Sequence, residues 1–190
     1  MIKYQLAKLV EWAGTLRTRK RMQKVAYLLQ EAGAPFNLEY GLHIYGPYSE
    51  ELARLTDIMV QTKLLEEKES PNAAGRQYDY ALGQSMPMPQ VLRQFEASTD
   101  GKRHAEGLAA FEDLFVDLNR AETQELELAA TIVFFFRQKP EAGLDNAVSA
   151  ACEFKKDLRR DLGPLTGPAR SLAEKSISFQ VSTTRLNRSA

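Results

Sequence analysis

The Gly46-Pro47 pair most constrains how this chain can fold, because it ends one regular element and directly precedes another. Apolar residues alternate with other residues just before it, which predicts a strand over residues 38–45. Just after it, Ser49 is a typical helix N-cap, and Glu50 and Glu51 follow where the helix dipole favours negative charge. We therefore predict a strand, a sharp break and a freshly capped helix.

A basic amphipathic helix is predicted ahead of this strand. Thr18 is its expected N-cap, and Gly33 marks its end. One face carries apolar residues at helical spacing: Met22, Val25, Ala26, Leu29 and Ala32. We expect the polar residues away from that stripe, facing solvent: Arg19, Lys20, Gln23, Lys24 and Gln30.

The first 85 residues together have the order of elements that is typical of a winged helix. A helix is predicted from Ile2 to Ala13, ahead of the two helices already described. Two short strands follow, over residues 64–69 and 77–82, and a turn-rich loop joins them. Three helices and a terminal hairpin predict a winged-helix-like domain over residues 1–85.

The remainder of the chain is predicted to be mostly helical. Residues 86–89 alternate methionine and proline, which suits a linker better than a helix or a central strand. We predict a helical domain over residues 86–165, whose most enclosed helix includes Phe134–Phe136. Alternating residues near 177–181 suggest that the tail, 166–190, is an edge strand, a disordered segment or a peptide that pairs with another chain. The fold class is predicted to be α+β, mostly α, with a winged-helix-like N-terminal lobe and a C-terminal helical lobe.

The charge and cysteine content exclude several classes of protein. Lysine plus arginine and aspartate plus glutamate number 25 each, so no net charge draws the chain to nucleic acid or to membranes. The single cysteine excludes an internal disulfide and a cysteine zinc site. The longest apolar run, residues 129–136, is too short to span a bilayer. We expect a bacterial cytoplasmic protein without a membrane partner.

Two separated motifs, in the same order along the chain, resemble a known family. They are the Gln-Lys helix and the Gly-Pro turn, and their residues are Gln23, Lys24, Tyr27, Tyr45, Gly46, Pro47, Tyr48 and Ser49. This pattern resembles the bacterial YwgA-like proteins and the related Panacea-domain (SocA-like) antitoxins. The resemblance implies a winged-helix-like N-terminal lobe and a regulatory, antitoxin or defence-associated role, and it implies no catalytic residues.

Six basic residues are candidates for binding nucleic acid or another partner: Arg17, Arg19, Lys20, Arg21, Lys24 and Arg76. Such residues could neutralise phosphates, and Arg76 in the hairpin loop is placed where a winged helix enters the minor groove. The alternative is a solvated helix face and a solubilising loop residue. The acidic start of the third helix argues against reading of the major groove, because base-reading helices usually begin with basic or amide side chains.

An enzyme is the less favoured interpretation. The sequence has none of the usual phosphate-loop, dinucleotide or hydrolase motifs, and His43 and His104 lack metal-ligand spacing. We predict no catalytic residue, metal or cofactor. The predicted function is a non-catalytic regulatory or antitoxin-like module that recognises a protein, such as a toxin or defence component. The alternatives are a winged-helix DNA-binding regulator and a defence-associated enzyme component that uses His43, and a homodimer through Phe134–Phe136 stays open.

Overall fold

The computed structural model describes residues 2–72, 75–85, 88–156 and 161–188. The elements of the first part are α1 (Ile2–Ala13), β1 (Leu16–Arg17), α2 (Arg19–Glu31), β2 (Gly41–His43), β3 (Gly46–Tyr48), α3 (Glu50–Gln61), β4 (Leu65–Asn72) and β5 (Gly75–Leu82). Those of the second part are α4 (Met88–Ala97), α5 (Thr99–Ala109), α6 (Glu112–Arg120), α7 (Thr123–Gln138), a 3₁₀ turn (Pro140–Ala142), α8 (Gly143–Lys155) and α9 (Gly163–Arg188). The predicted fold class, α+β and mostly α, is confirmed.

The three helices and the hairpin predicted for the first 85 residues are present. β4 and β5 pair from Leu65 opposite Leu82 to Asn72 opposite Gly75, so both strands are longer than predicted. The sequence missed β1, which pairs with β5 and gives an antiparallel sheet in the order β1-β5-β4. Two residues are too few for a period-two pattern to be recognised.

Both predicted N-caps are confirmed by hydrogen bonds. The Thr18 hydroxyl accepts from the Arg21 backbone N–H at 3.0 Å and caps α2. The Ser49 hydroxyl accepts from the Leu52 N–H at 3.3 Å and caps α3. Each satisfies a donor that the first helical turn leaves without a partner.

The prediction of one strand over residues 38–45, ended by Gly46-Pro47, is wrong. Of these residues only Gly41–His43 form a strand, β2. It pairs with β3, Gly46–Tyr48, in a small antiparallel hairpin, so Gly46 and Pro47 belong to a strand themselves. The Gln30 side chain explains part of the difference. Its oxygen accepts from the Leu38 N–H at 2.7 Å, and its amide donates to the Leu38 carbonyl at 2.9 Å, so Leu38 bonds to α2 in the way that a strand neighbour would.

The helix α7 is central, as the sequence predicted, although α2 has an equally long buried stretch, Met22–Leu29. This central helix packs against α2, α8, α9 and β3, and the residues from Leu126 to Val133 are all buried. Its N-terminus has a capping box formed by Glu122 and Glu125. One buried cluster contains apolar residues from both parts of the chain, and the domain division stays a prediction.

The prediction that the tail is an edge strand is wrong for the residues that the structure describes. Residues 163–188 form α9, which packs against α7 and α2. The buried positions follow a helical spacing of three and four: Ala169, Leu172, Ala173 and Ser176. The alternation around Ile177 and Phe179 was therefore a local pattern that this longer stripe overrides. None of the helices in the described ranges is long and apolar enough to cross a membrane.

Candidate functional site

The two family motifs meet where α2 contacts the β2–β3 hairpin and the start of α3. Gln23, which is buried, makes a two-point contact with the backbone of Ser49. Its amide donates to the Ser49 carbonyl and its oxygen accepts from the Ser49 N–H, both at 2.9 Å. One side chain of α2 thus fixes the position from which α3 begins.

Lys24 is buried, and this contradicts the expectation that it faces solvent. Its side chain is only 1% exposed, and its Nζ donates to the Pro47 carbonyl at 2.5 Å. Burial lowers the pKa of Lys24 to about 7, and nearby Lys155 and Lys20 lower it while Glu127 opposes them. Lys24 is therefore unavailable as a contact to a phosphate backbone.

Glu127 of α7 connects two further lysines to the same region. One carboxylate oxygen accepts from the Lys155 Nζ at 2.8 Å, and the other accepts from the Lys20 Nζ at 3.0 Å. Burial disfavours ionisation of Glu127, but the hydrogen bonds and charges of these lysines outweigh it and lower its pKa. Lys20, Lys24, Glu127 and Lys155 are called the lysine–glutamate cluster below.

The cluster holds the backbone of the β2–β3 hairpin. Lys155 also donates to the Ile44 carbonyl at 2.9 Å, so its amine joins α7 to the hairpin. Gly46 has a φ of +88°, and a Cβ there would lie 2.6 Å from the Thr131 Oγ1. Glycine is required because the hairpin backbone lies directly against α7.

Three large apolar residues are exposed in this region, two at the turn of the hairpin and one near the end of α8. Ile44 and Tyr45, at the turn, are 57% and 45% exposed, and Phe154 is 37% exposed. The Lys155 amine that bonds Ile44 lies 5.8 Å from the Phe154 ring centroid, and the Lys20 amine lies 4.1 Å from the Tyr45 ring centroid. Ile44, Tyr45 and Phe154 are called the apolar tip.

A groove of about 720 Å³ is lined by residues of both hairpin strands and of the start of α3. The lining residues are Glu39, Tyr40, Gly41, His43, Tyr48, Glu50, Glu51 and Arg54. The rings of His43 and Tyr48 stack there, with centroids 4.8 Å apart. Its charged residues are three glutamates and one arginine, so the groove is acidic.

The remaining basic candidates do not form one exposed surface. Arg19 contacts Asp57 at 2.7 Å and Glu67 at 3.1 Å, while Arg21 donates to the Asn119 carbonyl at 2.7 Å. Arg17 is exposed on β1. Arg76 is 76% exposed in its side chain and lies 3.2 Å from Glu69.

Sequence reasoning missed Glu127, Thr131 and Lys155. Glu127 stands between Leu126 and Leu128 at the start of the apolar run of the central helix, and a carboxylate at that position was the one available signal. Tyr27, a motif residue, belongs to the buried core, where its ring packs edge-on against Tyr40 with centroids 4.9 Å apart. No metal-binding group of three or more histidine, cysteine or acidic residues occurs in the ranges that the structure covers.

No family model matches the chain. The chain is similar to the uncharacterized protein YwgA of Bacillus subtilis (strain 168), with 27% identity over 132 residues, which is 69% of this chain and 72% of that protein. This similarity supports a YwgA-like family. It agrees with the family resemblance of the two motifs, which the structure brings into contact through Gln23, Lys24, Pro47 and Ser49.

Proposed function

We propose that the protein is a non-catalytic module that recognises a protein partner through the apolar tip. The observation that carries this proposal is the position of Ile44 and Tyr45, which are exposed at the turn of a hairpin whose backbone is held from beneath. Phe154 is exposed near the end of α8, next to the Lys155 that bonds the hairpin. Aromatic and large apolar side chains dominate binding energy at protein interfaces. A loop that is already ordered binds with a smaller loss of conformational entropy.

The arrangement of the lysine–glutamate cluster supports a positioning role better than a reactive one. Lys24 donates to a backbone carbonyl and is almost completely buried, so it meets no substrate. The carboxylate oxygens of Glu127 accept from Lys20 and Lys155. Burying charged groups is costly. Here the buried amines of Lys155 and Lys24 donate hydrogen bonds that fix the carbonyls of Ile44 and Pro47.

The acidic groove indicates the chemistry of the partner. It shares the hairpin with the apolar tip, because His43 and Tyr48 line the groove while Ile44 and Tyr45 form the turn between them. A partner segment with apolar residues for the tip and basic residues for the groove would be complementary to both. A toxin or defence component with such a segment fits the antitoxin role of the Panacea-domain proteins, which the motifs resemble.

A winged-helix DNA-binding regulator is the second candidate. The order α1-β1-α2-β2-β3-α3-β4-β5, with the sheet β1-β5-β4, supports a winged-helix assignment for residues 1–85. Two of the candidate basic side chains do not support contact with phosphates, because Lys24 is buried and Arg19 is paired with acidic groups. The third candidate, an enzyme component that uses His43, is supported only by the position of His43 in the groove.

Site-specific crosslinking followed by affinity measurement tests the proposal. A photo-crosslinking phenylalanine replaces Tyr45 in one variant and Gln94, exposed on α4, in a control variant. A protein crosslinked from Tyr45 and not from Gln94 is then purified, and its dissociation constant is measured with wild type and with Ile44→Ser. We expect at least about a tenfold weaker binding for Ile44→Ser, the loss typical of a hot-spot contact. Equal crosslinking at both positions, or an unchanged dissociation constant, would refute the proposal.

A further inference from the structure

The β2–β3 hairpin closes the lysine–glutamate cluster on its outer side. Helices supply the charged side chains: Lys20 and Lys24 from α2, Glu127 from α7 and Lys155 from α8. The hairpin supplies the carbonyls of Ile44 and Pro47, and Gly46 lies against α7. Movement of this hairpin away from α7 would therefore bring water to the amine of Lys24.

Lys24 is the member of the cluster whose charge has the poorest compensation. Its hydrogen-bond partner is the neutral carbonyl of Pro47, and the ion pairs of the described residues do not include it. The charged groups that act on it are Glu127, which also binds two other amines, and the amines of Lys155 and Lys20. An ammonium group buried in this way is costly, so the closed hairpin favours neutral Lys24.

The other titratable groups of the neighbouring elements face elsewhere. His43 and Tyr48 of the hairpin, and Glu50 and Glu51 of α3, line the acidic groove. The ring of Tyr45, at the turn, makes a cation–π contact with the Lys20 amine. Lys155 also bonds the hairpin, through the Ile44 carbonyl, but its amine is paired with the Glu127 carboxylate. Lys24 bonds the hairpin through the Pro47 carbonyl and has no ion pair among the described residues, so its protonation is the one that the hairpin contact opposes.

We propose that the protonation of Lys24 controls closure of the β2–β3 hairpin, and through it the display of the apolar tip. The closed hairpin holds a neutral amine, and the open hairpin exposes the amine to water, where it takes up a proton. The last step, the effect on a partner, rests on the proposed function. The coupling between Lys24 and the hairpin does not.

The direction of the pH dependence follows from the two protonation states. In the closed form the pKa of Lys24 is about 7, and an exposed lysine has its ordinary value of 10.5. Between these values the open form holds one more proton, so the opening equilibrium rises about tenfold for each unit by which the pH falls. Below pH 7 both forms are protonated, and the dependence ends. From pH 9 to pH 7 hairpin opening should thus increase roughly fiftyfold, and from pH 9 to pH 6 roughly ninetyfold.

Two NMR measurements on the full chain test this coupling. The lysine ¹³Cε shifts give the pKa of Lys24, and amide hydrogen exchange gives the opening equilibrium of residues 43–48 after correction for intrinsic exchange. Both are followed from pH 6 to pH 9 in wild type, in Lys24→Met and in the control Lys68→Met, which removes an exposed lysine of β4. We expect a roughly ninetyfold change over this range in wild type and in Lys68→Met, and a constant equilibrium in Lys24→Met.

Two results would overturn the inference. One is an ordinary pKa for Lys24 in the folded protein, and the other is a pH dependence of hairpin opening that Lys24→Met retains. If Lys24→Met does not fold, the wild type alone tests the inference. The pH dependence of amide opening must then occur in residues 43–48 and be absent from the amides of α4. No partner is needed, so failure of the apolar tip as a binding surface would be recognised separately, by unchanged binding of Ile44→Ser.

Discussion

Replacement of Gly46 by alanine gives the sharpest test of how the hairpin lies on α7. The φ of +88° is in the left-handed region, where a non-glycine residue costs about 1–2 kcal/mol. The new Cβ would also lie 2.6 Å from the Thr131 Oγ1 and 3.3 Å from the Glu127 carbonyl oxygen. Overpacking of this kind typically costs about 1–3 kcal/mol. We therefore expect Gly46→Ala to lower the free energy of unfolding by roughly 2–5 kcal/mol.

Gly14→Ala is a matched control for this substitution. Gly14 also has a positive φ, +65°, but a Cβ there would meet no atom within 4 Å. Its expected cost is the backbone strain alone, about 1–2 kcal/mol. Urea unfolding of both variants, and of Gly46→Ala combined with Thr131→Ala, separates strain from contact. Equal costs at both glycines, or no relief from Thr131→Ala, would refute the close approach of the hairpin to α7.

Three further substitutions test the contacts around the hairpin. Glu127→Gln should lower the free energy of unfolding by about 3–5 kcal/mol at neutral pH, because Lys155 would stay buried without its carboxylate partner. Urea unfolding measures this loss, and a loss below about 1 kcal/mol would contradict the role of the lysine–glutamate cluster. Gln23→Ala leaves the buried backbone groups of Ser49 without partners, at about 1–3 kcal/mol for each, and should increase hydrogen exchange in the first turn of α3. Arg76→Ser should leave a band-shift titration with duplex DNA unchanged at every salt concentration, and a reduced salt dependence would favour the DNA-binding candidate.

The sequence predicted those elements whose patterns are local. The caps at Thr18 and Ser49 follow from short side chains that bond to a nearby backbone N–H, and the structure has both. The long hairpin β4–β5 was recognised from two strand patterns around a turn-rich loop. The enclosed position of α7 was predicted because its apolar residues occupy most faces of the helix.

The candidate site could not be predicted in the same way, because it depends on packing between distant parts of the chain. A single apolar stripe places Gln23 and Lys24 on the solvent side of α2, whereas α2 is covered on that side too, by the hairpin and α7. The contact between Lys24 and Pro47 joins residues 23 positions apart, and that between Lys155 and Ile44 joins residues 111 positions apart. The co-occurrence of the Gln-Lys and Gly-Pro motifs was the only sequence signal that connected them.

The most direct test of the central claim is a map of amide chemical-shift changes when the partner crosslinked from Tyr45 is added to the labelled full chain. If the lysine–glutamate cluster presents the hairpin turn for protein recognition, the largest changes will fall on residues 43–48 and on the end of α8 around Phe154. Changes centred instead on β4–β5, or on surfaces away from the hairpin, would contradict this claim.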